Sequence, residues 1–186
     1  MWPQMSEAMV AAVSAVLRSG KLNQWNNPAV NEFETAFANY LGCRHAVAVC
    51  NGTVALQLCL SALRIGPGDE VIVTPRTFVA SASCCAWLGA VPKFVDVSAS
   101  SQNITLATIA PEITARTRAV ILVHFAGFPC EDIDDICRHC ASHGVHVIED
   151  CAQAHGAAFA DGSKVGTRGA ISAWSFCQDK IMTTGG

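Results

Sequence analysis

Val145-His146-Val147-Ile148-Glu149-Asp150 is an apolar run that ends on two acids. A strand wetted on one face alternates apolar and polar residues; a near-continuous run reads as a strand covered on both faces. Five more such runs start near residues 46, 70, 92, 119 and 170, among them Ala46-Val47-Ala48-Val49-Cys50 and Ala119-Val120-Ile121-Leu122-Val123. Successive starts lie 22 to 27 residues apart, which is the spacing of a strand plus a helix and not of a hairpin. Helices are predicted in the first four gaps, over 53–64, 78–88, 105–109 and 131–142. The first is apolar nearly all round, through Leu56, Leu58, Cys59, Leu60 and Leu63, which predicts burial. The last gap, 151–169, is rich in Gly and Ala with no amphipathic helix, and leaves the sixth run free to be antiparallel to the fifth. The class is α/β, with a mostly parallel sheet flanked by helices.

Two helices precede these runs, over 3–18 and 29–40, joined by a polar, turn-rich arm at 21–28. The expected division is residues 1–44, helices and arm, followed by 45–186, the sheet-bearing part.

The chain has 186 residues, enough for a sizeable core. Its net charge is −3 and no Lys/Arg run appears, so it carries no footprint for nucleic acid. No run approaches the ~18 apolar residues of a membrane span. Several of the ten cysteines (Cys50, Cys59, Cys84, Cys85) sit in apolar runs, where Cys behaves as a small hydrophobe. With no secretory signal at the start, a reduced, cytoplasmic protein is expected.

Ligands of such sheets bind beyond the carboxyl ends of the strands, and the unusual polar residues fall there. Asn51-Gly52-Thr53 follows the first run and Thr77-Phe78 the second. Asp150 and Gln153 follow the fifth, Ser175 and Lys180 the sixth. Taken singly, Asn51-Gly52-Thr53 is an ordinary N-cap, Phe78 a core residue, Asp150 a turn residue and Lys180 a surface charge. In combination they suit pyridoxal phosphate, which needs a lysine amine for a Schiff base and a carboxylate facing its pyridine nitrogen. Gly52 and Thr53 at a helix start suit its phosphate. Phe78 is placed to stack on the ring, Gln153 to bond the ring hydroxyl and Ser175 the phosphate. No metal site is expected: in the cluster Cys130, Cys137, His139, Cys140 and His143, helical spacing turns His139 away from the Cys137–Cys140 face. Neither a dinucleotide fingerprint nor a nucleophile elbow is present.

These stretches together resemble the DegT/DnrJ-type sugar aminotransferases. The resemblance rests on Asn51-Gly52-Thr53-Val54-Ala55-Leu56, Gly66-Pro67-Gly68-Asp69-Glu70-Val71-Ile72-Val73, Thr77-Phe78-Val79-Ala80 and Gly89-Ala90-Val91-Pro92. Glu149-Asp150-Cys151-Ala152-Gln153-Ala154-His155-Gly156 and Ser175-Phe176 with Lys180 complete it. It implies a fold-type I, pyridoxal-phosphate-dependent large domain. The implied reaction moves an amino group, usually from glutamate, to a keto group of a nucleotide-linked sugar, in a homodimer with shared active sites. By resemblance Lys180 is the Schiff-base lysine, Asp150 pairs with the pyridine nitrogen and Gln153 with the ring oxygen. Phe78 stacks on the ring, while Gly52, Thr53 and Ser175 hold the phosphate.

Asn27 stands where the family commonly has Gly, in the arm near the sugar site. The sequence stops just after Lys180, whereas family members continue for about as long again. The expectation is therefore an N-terminal part that is inactive and poorly soluble or oligomeric on its own. Within the family, a dehydratase is disfavoured because it replaces the lysine by histidine. Other fold-type I enzymes and a non-catalytic relative are the remaining alternatives.

Overall fold

The computed structural model describes residues 2–185. The chain divides into two compact units, the first ending at Ala48 and the second beginning at Val49.

In the first unit, helix α1 spans Glu7–Ser19 and α2 spans Ala29–Leu41. Ser6 caps α1 by accepting from the Met9 N–H at 3.3 Å. Gly20 and Gly42 end the two helices in the left-handed conformation, with φ of 67° and 74°, which glycine reaches without steric cost. Phe37 is buried in α2 and stacks on Phe33 and Tyr40. Asn27 is used within the arm: its amide donates to Lys21 O at 2.8 Å and accepts from Ala29 N–H at 2.9 Å.

Among its described residues the second unit holds five strands: β1 Glu70–Val73, β2 Val91–Phe94, β3 Thr117–Val123, β4 His146–Asp150 and β5 Ile171–Ala173. Their order is β2-β1-β3-β4-β5, and every pairing is parallel. Helices α3 (Gly52–Ala62), α4 (Ala80–Trp87), α5 (Leu106–Ile109) and α6 (Ile133–Ser142) complete it. Successive strand residues serve opposite faces. Val71, Val73, Ala119, Ile121, Val123 and Ile148 pack with Leu56, Leu60, Cys84 and Cys85 of α3 and α4. Ile72, Val120, Leu122 and Val147 pack with Ile109, Ile133, Ile136 and Cys140 on the α5–α6 side.

Four expectations need correction. The run 46–50 is not a strand: Val47 is exposed, and the Ala48 N–H goes to the Glu34 carboxylate at 2.8 Å. An apolar run becomes a strand only with a hydrogen-bonded neighbour, and no described segment pairs with it. The sixth run is parallel to the fifth, in register Ile148↔Ile171, Glu149↔Ser172 and Asp150↔Ala173. The crossover 151–170 needs no helix because turns and an antiparallel bridge, Ala158↔Lys164, return the chain. Helix α3 is buried only on the side of Leu56, Cys59 and Leu60; Leu58 is exposed. Cys50 is also exposed, while Cys59, Cys84 and Cys85 are buried thiols. Among the described residues no helix is long and apolar enough to cross a membrane.

Candidate active site

The order β2-β1-β3-β4-β5 runs from β1 to β2 on one side and then to β3 on the other. Such a reversal opens a crevice at the carboxyl ends of the strands. Thr74 and Thr77 follow β1, His124 follows β3, Asp150 closes β4 and Ser175 lies just past β5.

Asp150 sits in mid-sheet, paired with Val123 on one side and Ala173 on the other. It is 5% exposed and points to the α3–α4 face. Its Oδ2 accepts from the Ser81 hydroxyl at 2.7 Å and its Oδ1 from the Ala152 N–H at 3.1 Å. Burial pushes the Asp150 carboxyl above its ordinary range, against the pull of those two bonds and of the nearby Lys180 charge. Such a carboxylate is short of a cationic partner.

Helix α3 begins against Ser175. A Cβ built on Gly52 would lie 2.9 Å from Ser175 Cβ and 3.2 Å from Trp174 O, so only glycine lets the helix start approach this strand end. Asn51 caps α3 by accepting from the Val54 N–H at 2.9 Å. Gly52 and Thr53 are its first two residues, and their N–H groups lie in the turn that has no intrahelical acceptors. Ser175 is buried; its hydroxyl accepts the Cys177 N–H at 3.4 Å.

Gln153 has a fixed amide. Its Oε1 accepts the Ala126 N–H at 2.7 Å, which leaves its NH2 to donate elsewhere. Ala126 has φ of 53° and sits in the short 3-10 turn Phe125–Gly127. Phe78 is exposed ahead of α4. Lys180 has a mostly buried side chain, with Nζ 3.7 Å from the exposed Asp179 carboxylate. The structure thus brings Gly52 into contact with Ser175, with Thr53 next to it on the first turn of α3, and joins Asp150 to α4 through Ser81. It adds no direct hydrogen bond among Asp150, Gln153 and Lys180.

A second constellation lies on the opposite face of β4. Glu149 is fully buried. Its Oε1 accepts the N–H groups of Arg168 (2.7 Å) and Gly169 (2.6 Å), and its Oε2 accepts that of Gly166 (2.7 Å) and His124 Nε2 (2.9 Å). His124 Nδ1 accepts the Cys130 N–H at 3.1 Å, which leaves the imidazole proton on Nε2. Burial opposes the Glu149 charge, yet the bonds from His124 and the backbone outweigh it and hold the carboxyl below its ordinary range. His124, Glu149 and Cys151 place ligand-type atoms within 4.8 Å of one another. Both imidazole nitrogens and both carboxylate oxygens are already committed, so the group reads as a structural hub and not as a metal centre. The Cys/His group of α6 disperses: Cys130 Sγ bonds Ile104 O, Cys137 Sγ bonds Arg168 O, and Cys140 lies in the core.

Sequence reasoning missed Ser81, the His124–Glu149 pair and the Ala126 N–H. Ser81 carried a signal, because it follows Thr77 at helical spacing on an otherwise apolar stretch. A backbone donor such as Ala126 leaves none.

A sequence model of the DegT/DnrJ/EryC1/StrS aminotransferase family matches residues 3–186. GDP-perosamine synthase of Vibrio cholerae is 44% identical over 156 residues, which cover 84% of this chain and 42% of that protein. An aminotransferase from Psychrobacter cryohalolentis, known from its X-ray structure, superposes with a TM-score of 0.97 at 50% identity, over 100% of this chain and 47% of the other. NtdA from Bacillus subtilis, solved with bound cofactor PMP, gives 0.88 at 30% identity over 97% of this chain and 40% of its own. The chain spans about half the length of the curated relatives it matches.

Proposed function

This chain belongs to the DegT/DnrJ/EryC1/StrS aminotransferase family, a family of pyridoxal-phosphate enzymes, and we propose that it serves transfer of an amino group from glutamate to a keto group of a nucleotide-linked sugar. The observation that carries the reading is Asp150, a buried carboxylate at the end of a strand paired on both sides, to which no cation among the described residues is bonded. The residues present fit the cofactor. Asp150 has room in its charge balance for a protonated ring nitrogen. The Gly52–Ser175 contact forms a cradle that a side chain would fill, beside the free N–H groups of α3.

When bound, pyridoxal phosphate supplies an aldehyde that takes up the amino group and a ring that stores the electron pair of the broken C–H bond. This chain's residues would do the rest. Lys180 would hold the cofactor through its amine and carry the proton. Asp150 keeps the ring nitrogen protonated, and the Gln153 amide donates to the ring oxygen. Phe78, exposed ahead of α4, covers the ring face. Gly52, Thr53 and Ser175 bind the phosphate. The division at residues 44 and 45, a homodimer with shared sites and a cytoplasmic location belong to the same reading. GDP-perosamine synthase, by its name, supports a nucleotide-linked product.

The test is a pair of half-reactions. Glutamate added to the whole, cofactor-loaded protein, and not to residues 1–186 alone, should release 2-oxoglutarate in proportion to protein, and a nucleotide-linked keto sugar should then be aminated. Release of 2-oxoglutarate with no amination of any such sugar would remove the substrate class. Absence of the first step would remove glutamate as donor.

A further inference from the structure

Asp150 is held by a relay of hydroxyls that the family reading does not use. Ser81 has one hydroxyl proton and spends it on Asp150 Oδ2 at 2.7 Å. In its 2.7 Å contact with Thr77 Oγ1, Ser81 is therefore the acceptor and Thr77 the donor. The relay runs one way, from Thr77, half-buried after β1, through Ser81, which is 1% exposed, to Asp150. Thr77 and Ser81 are four residues apart on the turn that opens α4, whose Ser81 N–H bonds Phe78 O at 3.1 Å. That turn fixes both hydroxyls before any ligand arrives.

A carboxylate and a pyridine nitrogen that face each other compete for one proton. A donor bonded to the carboxylate lowers its basicity and leaves the proton on the ring; burial acts the other way. We infer that Ser81 is a positioning residue that keeps this proton on the ring nitrogen instead of on Asp150, and that Thr77 sets the direction of the Ser81 hydroxyl. The inference rests on the assignment of Asp150 to the ring nitrogen. The other groups acting on Asp150 are the Ala152 N–H, which bonds Oδ1, the nearby His124 imidazole and the Lys180 charge, and none of them donates to Oδ2. Removing the Ser81 hydroxyl leaves that oxygen without its donor in a buried site.

The experiment loads the protein with pyridoxal phosphate labelled with 15N in the ring and reads the nitrogen resonance at one fixed pH. In the unchanged protein it should lie at the protonated position. Ser81→Ala should move it toward neutral pyridine and slow the glutamate half-reaction by about tenfold, the scale of one hydrogen bond to a charged group. Ser81→Thr keeps the hydroxyl and should restore both. Thr77→Val, at a half-buried position, should give a smaller move in the same direction, and it decides the matter should Ser81→Ala not fold. An unmoved resonance in the hydroxyl variants, or a move that Ser81→Thr does not reverse, overturns the inference. Asp150→Asn separates the two levels. If it leaves the ring nitrogen protonated, the Asp150 assignment fails; if it moves the resonance while the hydroxyl variants do not, only the role of Ser81 fails.

Discussion

Glu149 and Asp150 leave the same strand in opposite directions and have opposite charge environments. Glu149 turns to the α5–α6 side, where four donors hold its carboxyl below the ordinary range. Asp150 turns to the α3–α4 side, where burial outweighs two bonds and pushes its carboxyl up. One acid is complete without a ligand; the other is not.

Glu149→Gln is expected to destabilise the protein by about 3 kcal/mol, the lower end for breaking a buried charged network. Whichever way the amide is turned, its NH2 meets N–H donors, either Arg168 and Gly169 or Gly166. The pH dependence follows from the lowered carboxyl. Its stabilisation is present above the unfolded value of ~4.3 and is lost as pH falls through the folded value. Denaturant titrations at several pH values should show the wild-type advantage shrinking in acid. An advantage that grows in acid would contradict the hub.

Asp150→Asn should keep part of the cofactor affinity but slow the glutamate half-reaction by on the order of 4 kcal/mol, about a thousandfold. An amide does not hold a proton on the ring nitrogen as a carboxylate does. Stopped-flow measurement of the half-reaction checks this, and near-normal rates would mean another residue faces that nitrogen.

Lys180→Ala should abolish the visible absorption band that forms when the lysine amine joins the cofactor, and dialysis should then remove the cofactor. A band that persists unchanged would reassign the covalent link.

Gly52→Ala should weaken cofactor binding at least about tenfold and cost about 1–3 kcal/mol of stability, as overpacking does, because its Cβ would lie 2.9 Å from Ser175 Cβ. Cofactor titration followed by fluorescence reads the first effect. Unchanged affinity would show that the α3 start does not hold the phosphate.

The legible parts of this protein were those set by pattern. Runs at 70, 119 and 145 became the interior strands because continuous apolar residues need cover on both faces, which a parallel sheet with flanking helices supplies, while those at 92 and 170 became its less buried edges. The polar residues stood out because the carboxyl ends of those strands are the one place such a sheet tolerates them in numbers. The run 46–50 misled for the same reason: apolar character reports a wish for cover, not the presence of a pairing neighbour. The direction of β5 was unreadable because what returns the chain through 151–170 is Glu149 gripping three backbone N–H groups, and backbone donors have no letter in the sequence. Ser81 lay between these cases, visible as a polar residue at helical spacing from Thr77 but with its partner 69 residues away.

That separation has a kinetic meaning. Closing a long loop costs entropy before any contact repays it, and sheets built from such closures fold slowly. The Ser81–Asp150 bond can form only once α4 has docked beside β4, and the Gly52 cradle only once β5 has joined the edge of the sheet. The binding crevice thus exists only where α3, α4, β4 and β5 are all in place. A ligand seated there recognises a finished sheet and no earlier state, so its capture marks the moment at which assembly is complete.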